Sequence, residues 1–93
     1  MLCTYVLISR LDGRFYIGAT GNLRQRLKLH SEGQVRSTAR RRPLILVYYE
    51  AGLSADDAYR RERSLKSGRG GRYLKTRLAS SLASIRDNKL ERH

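Results

Sequence analysis

Cysteine, proline and acidic side chains are scarce in this sequence. Cys3 is the only cysteine among 93 residues, which excludes an intrachain disulfide and a zinc site built on several thiolates. Only 8 acids stand against 20 lysines and arginines. Asp12, Glu32, Glu50, Asp56, Asp57, Asp87 and Glu91 fall at expected turns, caps and the tail, so no cluster able to hold two metal ions is visible and one ion is the limit. No apolar run reaches the length of a membrane span, and the opening MLCTYVLIS carries no basic leader; a cytoplasmic location is expected. The Gly-rich SGRGGR (67–72) lacks the Lys-Ser/Thr ending of a nucleotide-binding loop. There are no repeats and no low-complexity linker.

What the chain has in excess is positive charge, +12 overall. Charge of this size favours a polyanionic partner and salt-sensitive binding. A solubilised surface, or a basic structural protein of a ribonucleoprotein particle, accounts for the same charge. The length suits one domain, expected over 1–86 with a frayed tail at 87–93.

TYVLIS and RFYIG read as two strands joined at Asp12-Gly13, a strong hairpin signal. Pairing Leu11 with Arg14 sets Tyr16 opposite Ser9, and Tyr5, Leu7, Ser9 and Tyr16 then share one face. Asn22 is an N-cap with Gln25 three residues on, opening a helix whose Leu23 and Leu27 are buried. Arg26 and His30, four apart, occupy the adjacent stripe. GQVRSTARRRP is a basic loop or short helical turn ended by Pro43, and LILVYYE reads as a fully or mostly buried third strand. Ser54 caps a second long helix with Asp56 and Asp57 in its first turn and Gly68 as terminator. Its inward positions are Ala55, Ala58, Tyr59, Glu62 and Leu65. A last helix sets Leu74, Leu78, Leu82 and Ile85 on one face. The order β-β-α-β-α-α implies an α+β fold, a three-stranded, mainly antiparallel sheet flanked by helices.

Several side chains could carry chemistry, each with a plainer alternative. Tyr5 and Tyr16 are strand tyrosines, which ordinarily pack with a wet hydroxyl; to act as a base, a phenol needs nearby cations. Arg26 supplies such a charge and a donor fork suited to phosphate oxygens, and His30 could pass a proton at neutral pH; either could equally be a solvated or structural side chain. Glu62 is a carboxylate in an apolar stripe. It is either ion-paired, with Arg61, Arg63, Lys66 or another arginine, or one oxygen ligand for Mg²⁺. Arg40, Arg41, Arg42, Lys66, Arg69 and Arg72 could form a phosphate-contacting rim, joined by Arg36, Arg60 and Arg61.

The ordered set resembles the GIY-YIG nuclease family, most closely its small members related to the excision-repair nuclease domain. TYV (4–6) stands at the first motif with Tyr5 as its tyrosine, and YIG (16–18) is intact. Arg26 lies eight residues past Gly18, His30 four further, and Glu62 is the helical glutamate followed by Lys66. The likeness runs from about Tyr5 to Leu78. It implies metal-dependent endonucleolytic hydrolysis of a nucleic-acid phosphodiester, DNA ahead of RNA, with one Mg²⁺ or Mn²⁺ on Glu62 and no small-molecule cofactor. Arg26 would stabilise transition-state charge, Tyr5 would be the candidate general base, and Tyr16 or His30 would position it or relay the proton, with these roles interchangeable. Repair, recombination and mobile-element roles fit alike. The family's asparagine on the last helix is missing from RYLKTRL (72–78), leaving that role to Thr76 or a water. A noncatalytic nucleic-acid-binding module on the same fold is the alternative.

Overall fold

The computed structural model describes residues 1–91, with side chains through Ile85. Strands β1 (Leu2–Ser9), β2 (Phe15–Thr20) and β3 (Leu44–Leu53) form one antiparallel sheet in the order β2-β1-β3. Helices α1 (Leu23–Ser31), α2 (Ala55–Lys66), α3 (Gly68–Arg77) and α4 (Ala79–Glu91) flank it, with a 3₁₀ turn at Ala39–Arg41. This is the expected α+β architecture. The last helical stretch is divided at Leu78, yet Leu74, Leu78, Leu82 and Ile85 all pack into one core as their spacing implies. Of the tail expected to fray, the backbone is helical through Glu91, and residues 92–93 lie outside the described residues.

β1 is central and buried from Cys3 to Ser9, so its alternation sorts the protein into two layers. Val6 and Ile8 join Ile17, Leu65, Leu74, Leu78 and Leu82 under α2–α4. Cys3, Tyr5 and Leu7 face the opposite way, with Tyr16, Leu23, Leu27, Leu44 and Leu46, under α1. The hairpin turn is longer than expected: Tyr16 pairs with Leu7 rather than Ser9. The Ser9 hydroxyl accepts from the amides of Leu11 and Asp12, Asp12 accepts from the Arg14 amide, and Gly13 takes φ +73°. These side-chain bonds outcompete a two-residue loop. A slip of two residues preserves face, so Tyr5, Leu7 and Tyr16 still look the same way.

β3 departs from the buried strand expected. It is an edge strand, half-buried from Leu44 to Tyr48 and more open beyond. A bulge near Val47 turns Tyr48 onto the α2–α4 face opposite Val6, while Tyr49 is exposed. On α2, capped by Ser54, the buried positions are Ala58 and Leu65; Ala55 and Tyr59 are exposed, contrary to their expected inward placement. The helix is rolled so that the Thr4 hydroxyl donates to the Ala58 carbonyl at 2.7 Å, which brings Arg61 and Glu62 to the partly buried flank.

Gly68 does not terminate α2. Ser67 ends α2 and caps α3, donating to the Ser64 carbonyl and accepting from the Gly70 amide. Gly70 explains the glycine-rich run: a Cβ there would lie 2.3 Å from the Ser64 carbonyl oxygen and 2.5 Å from Leu65 Cα. The first turn of α3 rests directly on the α2 backbone, and only glycine allows that approach.

Candidate active site

Tyr5, Tyr16, Arg26 and His30 come together between the sheet and α1. The Asn22 side chain accepts from the Gln25 amide and starts α1 immediately after β2. Arg26 and His30 then descend along one helical stripe onto the tyrosines. The Tyr5 hydroxyl and His30 Nε2 are 2.9 Å apart, and His30 Nδ1 lies 2.7 Å from the Thr38 hydroxyl. The His30 ring meets Tyr16 edge-on at 5.1 Å and Tyr5 at 5.7 Å between centroids. Gly18 makes the arrangement possible, since a Cβ there would sit 2.7 Å from Tyr5 Cζ and its hydroxyl oxygen. The glycine of YIG is thus the floor on which the Tyr5 ring lies.

Tyr5 and His30 are each 1% exposed and Thr38 is fully buried, whereas Tyr16 and Arg26 are half-buried. Burial raises the Tyr5 phenol above its ordinary value of 10, opposed by hydrogen bonding to Arg26. The same contact with Tyr5 raises Arg26. Burial, helped by the Arg26 charge, lowers His30 to about 4. His30 is therefore neutral at pH 7, not a half-titrated proton shuttle as its residue type suggests. Burial disfavours both the Tyr5 phenolate and the His30 imidazolium, which opposes proton transfer between them. Tyr16 is the phenol open toward solvent.

Thr38 was not legible as a site residue. It lies in a polar, basic loop with no periodicity, and only the fold returns it to α1. The Ser9 hydroxyl donates to the Arg41 carbonyl at 2.6 Å, and Arg41 Nε pairs with Asp12 at 2.8 Å. Arg42 donates to the carbonyls of Ala39 and Ser31. Arg41 and Arg42 thus also serve as struts that seat the Thr38 segment. Arg61 pairs with Glu50 at 2.8 Å and lies over the Tyr73 ring. Arg40, Arg69 and Arg72 are exposed.

Glu62 lies on the layer opposite α1, between Ala58 and Leu65 on α2. Its side chain is 20% exposed and its Oε2 accepts from Lys66 Nζ at 2.7 Å. Among the described residues no hydrogen bond or ion pair joins it to Tyr5, Tyr16, Arg26 or His30. No three His, Cys, Asp or Glu side chains there converge as a metal cage. A site with one protein carboxylate is compatible with that geometry, because Mg²⁺ commonly keeps waters and takes phosphate oxygens as its other ligands. Lys66 is exposed, so its ammonium can yield the carboxylate at little cost.

The sequence has relatives among known proteins. It is 38% identical over 65 residues to a UPF0213 protein of Staphylococcus haemolyticus, covering 68% of this chain and 79% of that one. It is 40% identical over 63 residues to a UPF0213 protein of Streptococcus pneumoniae, covering 67% of this chain and 63% of the streptococcal one. The match thus spans less than two-thirds of the streptococcal relative's length. No solved structure matches at the same level of significance. The GIY-YIG catalytic domain model matches residues 1–77, a span that contains both tyrosines, the arginine-histidine helix and Glu62. The chain therefore belongs to the GIY-YIG nuclease family.

Proposed function

We propose that this protein is an endonuclease that hydrolyses phosphodiester bonds of nucleic acid, DNA foremost, using one divalent cation. The observation that carries the reading is the joint placement of Tyr5, Tyr16 and His30 around the Gly18 floor, with Arg26 one turn before His30 on α1. The tyrosines raise Arg26 further above its ordinary value, so it stays charged, and its planar fork of donors suits phosphate oxygens. Tyr16 is the hydroxyl available to a water, while Tyr5 and His30 form the buried frame that positions it. Glu62, with its partner Lys66 displaced, would hold the cation; when bound, Mg²⁺ or Mn²⁺ supplies Lewis-acid stabilisation of phosphate charge. Arg40, Arg69 and Arg72 offer phosphate contacts without a base code. The buried single thiol, Cys3, agrees with action in a reducing cytoplasm.

A noncatalytic binding module is the second reading, favoured by the Glu62–Lys66 ion pair at 2.7 Å. Single-stranded, duplex and branched DNA and RNA incubated with Mg²⁺ or Mn²⁺ separate the two. Cleavage by the wild type is expected, with EDTA stopping it and Glu62→Ala retaining binding while losing turnover. Equal cleavage by both proteins refutes the assignment, and binding without metal-dependent cleavage by the wild type selects the module.

A further inference from the structure

Three buried groups stand in a row: Thr38, His30 and Tyr5. At the inner end the Thr38 hydroxyl lies 2.7 Å from His30 Nδ1 and 3.4 Å from the Val35 carbonyl, which also accepts the Thr38 amide at 3.1 Å. A hydroxyl both donates and accepts, so it can take the Nδ1 proton while its own faces that carbonyl. At the outer end the buried Tyr5 hydroxyl has one partner in hydrogen-bond geometry among the described residues, His30 Nε2 at 2.9 Å, so the phenol proton is seated only if Nε2 accepts it. A neutral imidazole carries one N–H, and the Tyr5 end of the row assigns it to Nδ1. The groups around the ring are Tyr5 from β1, Tyr16 from β2, Arg26 from α1 and Thr38 from the following turn.

We propose that Thr38 is a positioning residue of this site: its hydroxyl holds His30 as the Nδ1–H tautomer, so that Nε2 accepts the Tyr5 proton and the Tyr5 oxygen's lone pairs are left free of the imidazole. Without the hydroxyl, the imidazole can turn its proton to Nε2, and His30 then donates to the Tyr5 oxygen. The phenol proton must then leave its seat and take another acceptor. Thr38 thus acts on the Tyr16–Arg26 side of the site through His30, never touching substrate. The catalytic consequence rests on the nuclease reading above; the tautomer does not.

Thr38→Val removes the hydroxyl at nearly constant shape, and Thr38→Ser keeps it. The ring ¹⁵N shifts of His30 at pH 7 report the tautomer directly. Nδ1–H is expected in the wild type and in Thr38→Ser, and a shift toward Nε2–H in Thr38→Val. In metal-dependent cleavage, Thr38→Val should lose on the order of 10-fold or more in kcat with KM little changed, with Thr38→Ser restoring it. Wild-type His30 protonated on Nε2 overturns the proposal, as does an unaltered tautomer in Thr38→Val. A moved tautomer with wild-type kcat overturns the positioning role. If Thr38→Val does not fold, the wild-type and Thr38→Ser shifts decide. Absence of any wild-type cleavage sinks the nuclease reading alone, because the ring nitrogens still judge what Thr38 does.

Discussion

Acidification should destabilise this protein well above the pH at which its carboxylates titrate, and His30 is the reason. Its imidazole is neutral in the fold, lowered to about 4 by burial and by Arg26, against 6.5 when unfolded. Between those values the unfolded chain binds more protons than the native one, so stability falls as pH falls. Linkage on these two values removes about 2 kcal/mol by pH 5 and about 2.5 kcal/mol by pH 4.5, relative to pH 7. Asp12 is lowered to about 2 by its hydrogen bond from Arg41, so its contribution is lost mainly below the usual carboxylate value, outside this window. Urea unfolding at intervals from pH 7 to 4.5 measures the slope; a marginal domain of this size should show it as a large fall in midpoint. His30→Gln should be less stable throughout, yet nearly flat across the same range. A wild-type unfolding free energy constant from pH 7 to 5, or a His30 ring titrating near 6.5 by NMR, would refute the account of a buried neutral acceptor.

The helix junction and the basic surface give sharper contrasts. Gly70→Ala forces a Cβ onto the α2 backbone and should cost roughly 1–3 kcal/mol or more, while Gly71→Ala, with nothing within 4 Å, should be neutral or slightly stabilising; thermal melts of the pair test it, and equal melting temperatures would argue against the close approach. Arg69→Ala with Arg72→Ala should weaken DNA binding across all sequences and flatten its salt dependence by up to about 2 in log–log slope. Arg41→Ala should instead lower the melting temperature and leave that slope intact, because its guanidinium is engaged by Asp12 and by the Arg14 carbonyl. Anisotropy titrations over a salt series distinguish the two groups, and a loss of slope in Arg41→Ala would place that residue on the rim.

Local and periodic features were legible without coordinates. The Asn22 and Ser54 caps depend on residues three positions apart, and the leucine stripe of the last helices follows from spacing alone. The Tyr5/Tyr16 face survived an error in the hairpin register because a two-residue slip returns side chains to the same side. Strand burial, the α2 roll and the bulge at Val47 were not legible, since each is decided by what packs above the element rather than by its own composition. Regular alternation from Ile45 and Val47 would send Tyr49 to the helix face; the bulge sends Tyr48 there instead and leaves Tyr49 exposed.

For the site, residue types and their order along the chain determined which groups are candidates: two phenols in paired strands, an arginine and histidine one turn apart, and a single helical acid. Chemistry of that kind is written in covalent structure and short-range geometry. Only the tertiary structure decided their states. It buried His30 beyond titration at neutral pH, bonded Arg41 to Asp12, paired Glu62 with Lys66, and brought Thr38 from an unpatterned loop into contact with the imidazole. Desolvation and long-range hydrogen bonds do this, and neither leaves a periodic signal in a sequence.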